Sequence, residues 1–282
     1  MNKRSLVELT KYSHVDAQLD LLNGLNQGKD VIGQSDLKPD SSQTNEREFS
    51  GSLKIPEMLL ILDTETTGLD SDKDQCLEVG GVLFNVPNRS ILAQQSFLMP
   101  VESNEAEFIN HIPAHVSRIK QPFREALVYL ESLIDISDVL VAHNAEFDRK
   151  WFGKNYLPSV QKPWLCSMED ISWPSERNLR FRPSVRDLAL AYEIPVWSAH
   201  RALTDCIYLA EVFRRCSDLE DLLLKGLEPR KLMRAKVSFE QRHLAKEAGF
   251  RWNDLIPGAW SRRLSAREAS NLKFPVIVES SP

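Results

Sequence analysis

The sequence predicts an α/β fold, a mixed sheet of antiparallel and parallel strands flanked by helices, followed by a small α+β module. Three observations carry this. Three apolar runs follow one another closely from Met58, the mark of an antiparallel meander. From Phe123 helical and strand patterns alternate, which places helices over a sheet. Near residue 226 the charge changes sign: residues 226–282 hold 11 Lys and Arg against 6 Asp and Glu, while the 225 residues before them hold 24 against 34. A basic tail on an acidic body fits contact with a polyanion, and equally a solvated surface.

In chain order, Val15, Leu19, Leu22 and Leu25 recur at helical spacing, so residues 1–26 are read as a short amphipathic helical segment. Residues 27–54 are polar and rich in Asp, Ser and Gly, and are read as a linker. The main domain is placed at 55–222. Its strands are expected at Met58–Asp63, Cys76–Asn85, Ile91–Met99 and Asp138–Ala142, each a short apolar run. Its helices are expected at Phe123–Ile134, Phe147–Asn155, Ser184–Tyr192 and Leu203–Cys216. In the module at 223–282, a helix stopped by Gly249 leads into two short strands around the Pro257-Gly258 turn. A helix at Ser265–Leu272 and a strand at Val276–Val278 follow.

Composition narrows the function classes. With 42% hydrophobic and 27% charged residues and a net charge of −5, the chain of 282 residues reads as globular. No apolar run approaches the ~18 residues of a membrane span. No apolar stretch follows the basic residues at the N-terminus, so a secretory signal is not expected. Cys76, Cys166, Cys206 and Cys216 show neither C-x-x-C nor a zinc-type spacing, and read as reduced core thiols of a cytoplasmic protein.

The segment LLILDTETTG places Asp63 and Glu65 at the end of an apolar strand. Positions i and i+2 of a strand share a face, so two like charges project side by side. Folding alone does not favour that arrangement; a divalent cation does. The spacing by itself is weak, since 18 Asp and 22 Glu supply about one D-x-E by chance. A second instance, Asp218 and Glu220, lies in a polar helical stretch where the two side chains diverge. A second apolar strand ends in AHNAEFD, with Asp148 in a first helical turn, where an acid also complements the helix dipole. A third segment, HRALTD, places His200 and Asp205 at the start of an amphipathic helix.

This ordered set resembles the DEDDh branch of the 3′–5′ exonucleases, a ribonuclease H-like group that includes polymerase proofreading subunits (DnaQ-like). The resemblance spans roughly residues 57–216 and includes the connecting segments Asn110–Pro113, Trp164–Met168 and Ser184–Ala189. The sister branch would place Tyr at position 201, where this chain has Arg201, so His200 assigns the branch. The resemblance implies a ribonuclease H-like sheet and a catalytic set of Asp63, Glu65, Asp148, His200 and Asp205. It implies two Mg²⁺ or Mn²⁺ ions, with Asp63 bridging both. Glu65 and Asp205 complete the site on the water side, and Asp148 serves the leaving-group side. His200 then accepts a proton from the attacking water, and a 5′-nucleotide is released. Substrate contacts fall to Thr66, Thr67, Leu69, Asn144 and Phe147; for Leu69 and Phe147 ordinary packing is the alternative.

The implied partners are nucleic acid with a free 3′ end, single-stranded DNA foremost, and a DNA polymerase or repair protein; no membrane is implied. An RNA or oligoribonucleotide exonuclease is the runner-up, and a non-catalytic nucleic-acid-binding or polymerase-associated scaffold the rival from another class. All five active-site side chains are present, which favours the enzyme. The C-terminal segment resembles a small module found after exonuclease domains. There Trp252 and Trp260 with Arg251, Arg262 and Arg263 either stack bases and meet phosphates, or form a tiny core among solvated arginines. For Trp260 the core reading is preferred.

Overall fold

A computed structural model describes residues 54–197 and 200–279. The helix expected within 1–26 and the linker up to residue 53 lie outside the described residues.

The first sheet is built as the apolar runs require. Strands β1 (Met58–Thr66), β2 (Cys76–Asn85) and β3 (Ser90–Leu98) form an antiparallel meander, and β4 (Val139–Ala142) and β5 (Trp164–Cys166) join parallel to β1, in the order β3-β2-β1-β4-β5. The strand alternation divides the core in two. Leu59, Ile61, Val82, Phe84, Val139 and Val141 face one way, while Leu60, Leu62, Val79, Leu83 and Leu140 face the other.

The helices of this body are α1 (Glu107–Asn110), α2 (Ala114–Ser117), α3 (Phe123–Ile136), α4 (Ala145–Arg149), α5 (Val185–Ala191), α6 (Ala202–Arg215) and α7 (Leu219–Gly226). Helix α6 covers the first face with Leu209, Val212 and Phe213, and α3 covers the second with Leu130, Leu133 and Ile134. Helix α5 begins in a capping box between Ser184 and Asp187. This mixed sheet with helices on both faces is the ribonuclease H-like arrangement expected from the sequence.

Several elements differ from expectation, each for a local reason. Strand β1 runs past Asp63 to Thr66, because Thr64 and Glu65 keep pairing with Val79 and Glu78 of β2. The helix expected at Phe147–Asn155 ends at Arg149 and continues as turns, with Gly153 (φ 83°) and Asn155 (φ 50°) in left-handed conformations. Strand β5 is three residues long, too short to show a period. Helix α7 runs across the boundary expected at 222/223 and buries Leu219, Leu222 and Leu223 in the first core.

The second sheet is antiparallel, in the order β7-β8-β6-β9, from β6 (Arg230–Ala235), β7 (Arg251–Trp252), β8 (Trp260–Ser265) and β9 (Val276–Val278). With α8 (Arg242–Glu247) and α9 (Ala266–Ser270) it encloses a small core of Met233, Ala245, Phe250 and Leu264. Strand β6 is central, yet its sequence RKLMRA carries three cations, which hid it from the apolar pattern. All four cysteines are buried and unpaired. Among the described residues no helix is long and apolar enough to cross a membrane.

Candidate active site

Asp63 and Glu65 leave the same face of β1, and α6 brings Asp205 to them: one carboxylate oxygen from each of the three lies within 4.8 Å of the other two. A glycine makes this approach possible. Gly80 is the β2 residue paired with Asp63, and a Cβ there would come within 2.3 Å of the Ala202–Leu203 backbone at the start of α6. Only a residue without a side chain lets the helix carrying Asp205 reach the strand carrying Asp63.

Asp148 completes the group from α4. It is 2% exposed, and its Oδ1 accepts hydrogen bonds from the backbone N–H of Thr64 (3.0 Å) and from its Oγ1 (2.8 Å). Asp148, for which the helix dipole was the alternative reading, is thus tied to β1 at Thr64, the residue between Asp63 and Glu65 in sequence.

Burial and mutual repulsion raise the whole group. Asp63 is pushed well above the usual carboxylate range by burial, then by Asp148, Glu65, Asp205 and Glu78. Glu65 is raised to about 8, by burial first and then by Glu78 and Asp205. Burial lifts Asp148 to about 7 against the pull of the Thr64 hydrogen bonds, and it raises Asp205 as well. Carboxylates crowded so closely suit a hard divalent cation, which removes the repulsion and takes oxygen ligands. Zinc-type ligands are absent from this group.

His200 is exposed at the turn into α6, with φ of 59°. His143, which shares the His-x4-Asp spacing, is engaged elsewhere: its Nδ1 lies 2.9 Å from Ser167 Oγ, and burial lowers it to about 4.

The anticipated substrate contacts divide into two kinds. Thr66 and Thr67 are buried; Thr66 Oγ1 donates to Gly68 O (2.6 Å), and Thr67 Oγ1 accepts from Gln75 N (2.9 Å). Their hydroxyls brace the loop after β1. Leu69 projects into solvent with 77% exposure, so packing does not account for it. Asn144 is exposed in a left-handed conformation (φ 77°). Phe147 is half-buried against Trp151, with Lys150 Nζ 4.5 Å from its ring centroid.

Sequence reasoning missed Glu78. Its side chain is 2% exposed, pairs with Arg201 (2.9 Å), and accepts from Ser96 Oγ (2.7 Å) and from Ala202 N (3.3 Å). It therefore holds the first turn of α6, between His200 and Asp205. The signal was a single charge inside the otherwise apolar run CLEVGGVLF. Asn110, buried at the end of α1, donates to Thr66 O (3.1 Å) and so ties the Asn110–Pro113 segment to the loop after β1.

Arg262 follows neither reading of the basic tail: it is not solvated and not free to meet phosphates, because its guanidinium lies 4.4 Å from the Phe181 ring centroid and donates to Ala248 O (2.9 Å), inside the junction with the main domain. Trp260 is partly buried against the module core, as preferred, whereas Trp252 is 58% exposed.

Comparison with known proteins gives the family and supports the fold. The family described as Exonuclease matches residues 60–213, and residues 231–278 match a family described only as a domain of unknown function. The chain is 30% identical over 166 residues to DNA polymerase III subunit epsilon of Treponema pallidum (strain Nichols), covering 54% of this chain and 72% of that protein. It is 28% identical over 164 residues to DNA polymerase III PolC-type of Thermotoga petrophila, covering 55% of this chain and 12% of that much longer protein. The solved structure of an exonuclease I superposes with a TM-score of 0.50 at 14% identity, covering 77% of this chain and 68% of that one, which supports the fold. Members of the matched family depend on divalent metal, and an acidic cluster of Asp63, Glu65 and Asp205 is present here. The chain belongs to the exonuclease family, as a DnaQ-like 3′–5′ exonuclease of the ribonuclease H-like fold.

Proposed function

We propose that this chain removes 5′-nucleotides one at a time from the 3′ end of DNA, with Asp63, Glu65, Asp148 and Asp205 holding two Mg²⁺ or Mn²⁺ ions and His200 acting as general base. The meeting of three carboxylates within 4.8 Å, beside a fourth that is fully buried, carries this reading. When bound by these carboxylates, such cations would supply charge neutralisation at the phosphoryl oxygens and a more acidic water.

The protein's own groups do the rest. Thr64 orients Asp148 through two hydrogen bonds. Glu78, through Arg201 and the Ala202 N–H, orients the turn that carries His200 and Asp205. His200, exposed at that turn, receives the proton of the attacking water at a ring nitrogen. Thr66 and Thr67 present loop backbone to the 3′-terminal nucleotide, Leu69 lies against its base, and Asn144 and Phe147 shape the channel. The domain limits of this reading are the main body from residue 55 through α7 and the basic module beyond it. DNA is favoured because the relatives at 28–30% identity are DNA polymerase III proteins, which also makes a polymerase or repair assembly the natural partner. Four unpaired cysteines suit a reducing, cytoplasmic setting.

The test uses purified protein with 5′-labelled single-stranded DNA and the matching RNA, in Mg²⁺, in Mn²⁺ and in EDTA. A ladder shortening from the 3′ end only with metal, faster on DNA, is the expected result. A faster RNA ladder transfers the reading to RNA, and binding without any ladder supports the scaffold.

A further inference from the structure

A groove of about 730 Å³ lies between the loop after β5 and the C-terminal module. Arg180 and Arg182 of the loop and Lys246 and Arg251 of the module line it, against one acid, Asp254. Asp187 (3.1 Å) and Glu169, which lie outside the lining, pair with Arg180 and Arg182 respectively, and Asp254 pairs with Arg251 (3.8 Å). Between the cations lie aromatic faces. Trp252 is largely exposed and its ring centroid is 5.9 Å from that of Trp260; Phe181 lies on the other wall.

Both walls are held in place. Phe181 is covered by Arg262 on one side and meets Gly249 on the other, where a Cβ would come within 2.4 Å of the ring. Below, Arg230 pairs with Asp170 of the same loop (3.0 Å). The groove is therefore a preformed feature of the joined module and domain.

Its position relates it to the carboxylates. Met168, one of its lining residues, follows β5 by two residues, and β5 ends beside β4, which ends beside β1. The Met168 side of the groove thus lies at the sheet end that carries Asp63, about two strand spacings, or roughly 10 Å, to the side.

We propose that this groove binds single-stranded nucleic acid upstream of the 3′ end held at the carboxylates. Exposed tryptophans stack bases irrespective of sequence, and flanking cations meet the phosphates. An acidic peptide would satisfy the cations and leave the indole faces unused, so a polynucleotide is the better fit. The direction of the strand rests on the exonuclease reading; the binding itself does not.

The experiment measures binding of fluorescent dT20 to the full chain in EDTA, for wild type, Trp252→Ala and the double variant K246A/R251A. Stacking of one base is worth about 1–3 kcal/mol, so Trp252→Ala is expected to weaken dT20 binding roughly 5- to 150-fold. The double variant should lower the salt slope for dT20 by about 1.4, at 0.7 per lost contact on a single strand. Variants that bind dT20 as wild type does, or a wild type that does not bind it, overturn the proposal. A Glu-rich decapeptide that binds more tightly than dT20 and is lost in Trp252→Ala overturns it in favour of protein docking. Parallel reactions in Mg²⁺ separate the two readings: Trp252-dependent binding without cleavage refutes only the exonuclease reading. Cleavage with Trp252-independent binding refutes only the groove.

Discussion

Asp205 reaches the carboxylates of β1 only through the start of α6, and burial already disfavours its charge. Replacing it with Asn removes a metal oxygen and one repelling charge together. Asp205→Asn is therefore expected to abolish cleavage while the metal-free protein melts at the same temperature or higher; normal turnover by this variant would refute the metal assignment. His200 carries a different burden, because it is exposed and is not one of the three clustered carboxylates. His200→Ala should lower kcat ~10²–10⁴-fold and leave the metal-dependent thermal shift in place. A shift lost together with activity would make His200 a structural or ligand residue instead.

Among the elements, the join between the main domain and the module depends on Arg230 at the start of β6. Its side chain is nearly buried and pairs with Asp170 after β5 (3.0 Å) and with Glu268 of α9 (2.6 Å). The Arg230→Ala change leaves the half-buried Asp170 without a cationic partner, while Glu268 keeps Arg262 (3.7 Å); breaking a buried pair typically costs about 3–5 kcal/mol. Urea unfolding should show a loss of that order, or a separate early transition for the module. A loss below about 1 kcal/mol would mean that apolar packing alone docks it.

For the molecule as a whole, the raised carboxylates make stability depend on pH and metal together. Between about pH 4.5 and 8 unfolded Glu residues are ionised while Glu65, raised to about 8, still holds its proton; Asp63 and Asp148 act in the same sense. The folded state then binds more protons, so stability falls as pH rises. His143 opposes this trend only below about pH 6.5, because it is lowered to about 4 and must stay neutral in the fold. The clean window is therefore pH 6.5–8. In EDTA the melting temperature should fall across it, and saturating Mg²⁺ should remove most of the fall, since metal displaces the protons that the folded carboxylates otherwise hold. A flat profile in EDTA would show that the carboxylates are not strained without metal.

Much of this protein was legible in its sequence because it is written locally. The apolar runs ending in Asp63 and Glu65, the strand before Asp148 and the amphipathic helix behind Asp205 each report which face of an element is buried, and therefore where its charges emerge. What covers each face is not local information. Glu78 meets Arg201 at a separation of 123 residues, and Arg230 meets Asp170 at 60, so their roles appear only once the chain is folded. Gly80 reads as a weak point in a strand until α6 is seen to need its missing side chain. Arg262 and Trp252 lie close together in one basic, aromatic stretch, and tertiary packing alone buries the first under Phe181 and leaves the second facing the groove. A side-chain period records that a surface is covered; only the assembled core determines which partner covers it and which residues remain free to bind.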